Sequence, residues 1–230
     1  MTVQLAPHRA GAVATTVEAM YAADPGLDQR FGPAGRARCE ADVHHHLDYL
    51  QAALDADDPG VFARYVGWLG NILEARGVPS RHLGASMELL ERYFTAVLPP
   101  AEAARVQAVV LAAPVSTASP VEPSPGSAVL RYATAAVAGQ QATLTRLVED
   151  AIARGGYAAA AMGLVQPALY EVGRLWQQNR ITVSQEHLAT ASSQRALSLA
   201  YLGASFAPPS GRTAVLASPT TCSATPPRRS

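Results

Sequence analysis

Apolar residues recur along most of this chain at offsets of three and four, the period of a helix that buries one face. Clusters of Pro, Gly and Asp separate the runs. Asp24-Pro-Gly26, Phe31-Gly-Pro33, Asp57-Asp-Pro-Gly60, Gly77-Val-Pro79 and Leu98-Pro-Pro100 are turn chemistry. They predict helices over 10–23, 34–56, 60–76, 79–97 and 100–112. From Pro114 to Gly126 the text becomes PVSTASPVEPSPG, which has too little apolar surface to form a core and predicts a linker. A second helical block follows, expected over 127–138, 139–154, 156–177 and 183–206. The start of its last helix is marked by Thr182-Val-Ser-Gln185, a hydroxyl residue followed three later by Gln in the manner of a capping box. After Phe206, RTAVLASP (212–219) has the look of one short strand, and TTCSATPPRRS carries neither period.

Composition narrows the picture. The 230 residues are 49% hydrophobic and include alanine runs such as Ala158–Ala161, as expected of a soluble helical protein. Apolar segments are interrupted well short of the roughly 20 residues that span a bilayer. The N-terminus has no sustained apolar stretch before Glu18, so no secretory signal is expected. Cys39 and Cys222 are too far apart to suggest a metal motif, and free thiols point to the cytoplasm. Charge balances at 18 basic and 18 acidic residues, which removes the electrostatic argument for nucleic acid. Every basic residue is Arg. Without Lys there is no Schiff-base chemistry and no phosphate-loop lysine. Glycine-rich phosphate loops, nucleophile elbows and His-Glu-x-x-His strings are also missing, so no enzymatic activity is expected.

The candidate chemistry is concentrated in Trp176–His187, WQQNRITVSQEH. Val165, Leu169, Val172 and Trp176 recur at helical period. Val183, Glu186 and His187 then share a face of the next helix, at the spacing where helical side chains meet. A tight connection near 178–181 would bring Trp176 beside Glu186 and His187. Such an arrangement could surround a ligand with one aromatic wall and two polar groups. It is equally what a core Trp and a favourably charged first helical turn would look like.

Residues 163–191, GLVQPALYEVGRLWQQNRITVSQEHLATA, resemble the helical cap of cobalamin-binding modules. That family includes methionine synthase, corrinoid methyl-carrier proteins and light-sensing cobalamin-dependent repressors. A Trp, nine residues, then Glu-His is similar to the adenosylcobalamin photoreceptor branch. The resemblance implies that Trp176 and Val183 pack near the upper axial group while Glu186 and His187 hydrogen-bond or gate it. It implies a cobalamin cofactor, adenosylcobalamin foremost, and no metal ligand from the cap itself. Repressors that form a second protein–cobalt bond after illumination carry a His directly after the Trp. Gln177 stands there in this chain, which argues against that route.

The expected architecture is all-α. A globin-like helical sensory domain over 1–112 and a linker over 113–126 precede a four-helix cobalamin cap over 127–208. A short α/β remnant follows over 209–230. In the family a Rossmann-like domain follows the cap and ligates cobalt from an Asp-x-His-x-x-Gly loop. That loop is missing here, so a truncated cobalamin domain is expected. FARYVGWLGNILEARGVP and LLERYFTAVLP resemble the globin-like domains of photocobilins, which pair a bilin with cobalamin. His44, His45, Tyr65 and Trp68 are the residues that this looser resemblance offers to a bilin. On a helix, however, three successive His side chains point about 100° apart and do not converge on one site. Tyr65, Trp68, His82 and Tyr93 also fit plain core positions. The function expected is a cobalamin-binding sensor that acts through a homo-oligomer or an effector protein. The alternatives are a corrinoid methyl carrier serving methyltransferases and a helical interaction protein that binds no cofactor.

Overall fold

The computed structural model describes residues 3–113 and 124–206, with 208, 211 and 213. Among them every regular element is helical. The expected strand over 212–219, Cys222 and most of the expected linker lie outside the described residues. Five helices come first: α1 Arg9–Ala23, α2 Gly26–Ala56, α3 Pro59–Ala75, α4 Arg81–Val97 and α5 Pro100–Leu111. Four follow: α6 Ser127–Val137, α7 Gln141–Ala160, α8 Gln166–Gln177 and α9 Val183–Leu202.

Two hydrophobic clusters account for most of the buried apolar side chains. The first runs from Val3 to Ala113 and centres on Leu47, Leu50, Phe62, Val66, Leu90 and Phe94. The second, from Tyr132 to Ala196, includes Leu144, Val148, Val165 and Val172 but is otherwise rich in Ala. Small residues dominate the inner face of α9, where Ala189, Ser192, Ser193 and Ala196 are buried and α6, α7 and α8 all pack close. Trp68, a core candidate from its spacing, is instead 41% exposed. It lies about 120° around α3 from Phe62, off the inward stripe formed by Phe62, Tyr65 and Val66.

Four helix ends are set by residues in left-handed backbone, at Asp57, Gly77, Gly139 and Asn179. Gly77 at φ 72 ends α3, with Val78 N–H bonded to Leu73 O at 2.8 Å and Gly77 N–H to Glu74 O at 2.9 Å. This six-to-one and five-to-two pair is a Schellman cap. Gly139 at φ 65 ends α6 the same way. Two expected breaks are kinks rather than loops. At Gly32, φ 58 joins two helical segments within α2, and Pro33 sits where the second segment needs no N–H. At Gly156, φ 80 bends α7 where a new helix was expected. A π turn over Ala161–Val165 then leads into α8, whose Pro167 falls in the first turn. The last helix stops at Leu202, short of the expected 206.

Candidate functional site

Trp176 stands in the last turn of α8. That helix anchors itself through buried Ala168, Glu171 and Val172. Glu171, only 6% exposed, pairs with Arg174, whose Nε donates to Oε2 at 2.7 Å and Nη2 to Oε1 at 2.5 Å. A two-point guanidinium–carboxylate pair one turn from Trp176 stiffens this end of the helix. α8 then ends in a third Schellman cap. Asn179 takes φ 56, Arg180 N–H reaches Leu175 O at 2.9 Å, and Asn179 N–H reaches Trp176 O at 3.0 Å. Asn is among the few residues other than Gly that adopt this backbone readily.

Three residues later the chain enters α9 through the expected capping box. Thr182 Oγ1 accepts from Gln185 N–H at 3.2 Å, and Gln185 Oε1 accepts from Thr182 N–H at 2.9 Å. This fixes the first turn, on which Val183, Glu186 and His187 stand. Glu186 lies at the positive end of the helix, where a carboxylate is favoured. Its Oε2 accepts from His187 Nδ1 at 2.6 Å, and its Oε1 accepts from Thr190 Oγ1 at 3.1 Å. The proton on His187 Nδ1 is assigned from this bond, and it leaves Nε2 as an acceptor. The His187 side chain is 75% exposed. Val183 is 51% exposed.

The structure therefore joins Glu186 to His187 and sets Val183 on the same face of α9. It puts Trp176, half-buried, at the adjoining end of α8. The contact recorded for the Trp176 ring comes from the N-terminal helices, with the Arg76 guanidinium carbon 4.9 Å from its centroid. Sequence reasoning missed Arg76, which lies 100 positions upstream of Trp176.

The N-terminal helices hold a separate cavity of about 260 Å³ lined by Met20, Leu27, Phe31, Leu73, His46 and His82, among others. Of the three adjacent histidines it is His46 that faces inward, 3% exposed, with Nδ1 2.7 Å from Tyr65 Oη. His44 accepts from Arg9 Nε at 3.0 Å, and His45 lies on the surface beside Asp48. Tyr65 and Trp68 line a different groove with Tyr49. The four residues offered for a bilin thus do not share one pocket. The cavity is also smaller than the roughly 300–1,000 Å³ of most ligand pockets. Burial pushes His46 down to about 3, with His45 adding a smaller push, so the ring is neutral near pH 7. Burial likewise raises Cys39 to about 11, which keeps it a thiol. Among the described residues no group of three His, Cys, Asp or Glu could hold a metal ion, and no helix is long and apolar enough to cross a membrane.

Residues 130–201 match the family model of the B12 binding domain. The match takes in most of α6, all of α7 and α8, α9 as far as Tyr201, and all four residues of the Trp176–His187 site, so this group of helices is similar to a B12 binding domain. No curated protein and no solved structure matches the chain.

The side chains suit a corrinoid. Its faces are apolar and its rim carries amides, which need both donors and acceptors. Trp176 and Val183 supply accessible apolar surface. Glu186 and His187, already ordered by their mutual bond, supply an anionic acceptor and an imidazole with a vacant acceptor position.

Proposed function

We propose that this protein is a cobalamin-dependent sensor rather than an enzyme, with the cap of α6 to α9 covering the upper axial face of adenosylcobalamin. The B12-binding match over residues 130–201 carries this reading, because it takes in both the end of α8 that bears Trp176 and the first turn of α9 that bears Val183 and the Glu186–His187 pair. Trp176 and Val183 would pack on the axial group and the corrin face. Glu186 would orient His187, which in turn would hydrogen-bond the axial ligand or the corrin rim. The bound cofactor supplies a cobalt–carbon bond that light can break. The chain's part is to hold the axial group against Trp176, exclude water from it, and respond to its loss through contacts between the two groups of helices. The signal would pass to a second copy or an effector protein in the cytoplasm.

Mixing the protein with adenosylcobalamin in the dark, separating free cofactor and then illuminating tests this directly. Retained cofactor whose absorbance changes on illumination, with a shift in oligomeric state, is the expected result. Elution of all the cofactor in the free fraction sinks the proposal. Retention of methylcobalamin in preference to the adenosyl form would favour a methyl carrier instead.

A further inference from the structure

We propose that Arg76, at the end of α3, is a positioning residue for Trp176 and couples the N-terminal helices to the cofactor face of the cap. Its backbone is fixed by the Schellman cap at Gly77, which makes Arg76 the C-cap residue directly after α3. From there the guanidinium makes four contacts. Nη1 donates to Ile72 O at 3.2 Å on its own helix and to Gln177 O at 3.3 Å. Nη2 donates to Trp176 O at 3.3 Å, and the guanidinium carbon lies 4.9 Å from the centre of the Trp176 ring. One group thus caps the C-terminal carbonyls of α8, where a cation is favoured, and covers the indole.

Lysine could not do the same. A planar fork reaches two carbonyls while stacking on a ring, whereas an ammonium is a single point of charge. Neighbouring packing supports the contact. Ile72, one turn before Arg76, is 7% exposed yet belongs to neither hydrophobic cluster, and α3 touches α8. A guanidinium lying over the indole restricts the ring's rotation without enclosing it, and Trp176 stays partly accessible. Trp176 is therefore held ready for a ligand on its accessible side. By linkage, whatever binds there also strengthens the hold of the N-terminal helices on the cap.

This inference rests on the cobalamin reading, and its test separates the two. The chain has two tryptophans, so Trp68→Phe leaves Trp176 as the sole reporter. In that background Arg76→Ala and Arg76→Lys are compared for thermal midpoint, acrylamide quenching of Trp176 emission and adenosylcobalamin affinity by dark dialysis. Arg76→Ala is expected to raise the quenching constant about twofold and to weaken cofactor binding roughly three- to tenfold. Arg76→Lys should fall between Arg76→Ala and the parent. Unchanged quenching and affinity in a folded Arg76→Ala protein would overturn the role of Arg76 while leaving cobalamin binding intact. A parent that takes up no cobalamin would overturn the cobalamin reading, and with it the positioning role, even if quenching responds to Arg76.

Discussion

The buried His46 makes a strong prediction about pH. Its ring is 3% exposed, and burial lowers it from an ordinary 6.5 to about 3. A group with a depressed folded pKa leaves stability intact above its unfolded value and removes it as pH falls below that value. Between pH 6.5 and 3 the unfolded chain takes up a proton that the folded chain refuses. At pH 5 this removes about 2 kcal/mol, and the figure hardly depends on the folded value so long as that value stays well below 5. The measurement is urea unfolding at pH 7.5 and 5.0 for the wild type and His46→Leu. Leucine also strands the Tyr65 hydroxyl, which costs about 1–3 kcal/mol. Burial pushes the Tyr65 phenol up, so that cost is the same at both pH values and cancels from the comparison. Wild type should lose about 2 kcal/mol more than His46→Leu over this interval. Equal losses, or a His46 resonance titrating near 6.5 in the folded protein, would refute the burial argument.

Other expectations concern the backbone around the cap. Thr182→Ala removes the hydroxyl that accepts from Gln185 N–H, and should cost about 1 kcal/mol and lower the thermal midpoint. Serine at that position should restore most of the loss. Gly156→Ala and Gly173→Ala should move stability in opposite directions, although neither added methyl group meets an atom within 4 Å. Gly156 has φ 80, so alanine there should cost about 1–2 kcal/mol. Gly173 lies within α8, where alanine should gain about 0.5–1 kcal/mol. Denaturant midpoints measured in parallel check both signs.

Sequence legibility followed the range of the interactions. The capping box at Thr182 and the turn residues at Asp57–Gly60, Gly77 and Leu98–Pro100 act within a few positions, so the helix boundaries they set could be foreseen. Gly32 and Gly156 were harder. A positive-φ glycine can end a helix or kink it, and packing on both sides decides which. Helical period placed Tyr65 inside, but Trp68 carries the same hydrophobic signal and stands at the rim. Spacing alone could not choose His46 from three adjacent histidines, because the choice depends on Tyr65 from another helix. In the cap, the helical turn that carries Glu186 and His187 was legible from its capping box, whereas the bond between the two side chains was not. The grip of Arg76 on Trp176 spans 100 residues and leaves no local pattern.

Trp176, Val183, Glu186 and His187 are the proposed upper face of a cobalamin site. Equilibrium dialysis in the dark, with adenosylcobalamin and methylcobalamin against wild type and Trp176→Ala, tests it most directly. Wild type should bind the adenosyl form more tightly, and Trp176→Ala should lose that preference while its far-ultraviolet circular dichroism shows that it remains folded. A wild-type protein that binds neither cobalamin, or a Trp176→Ala protein with undiminished preference for the adenosyl form, would contradict it.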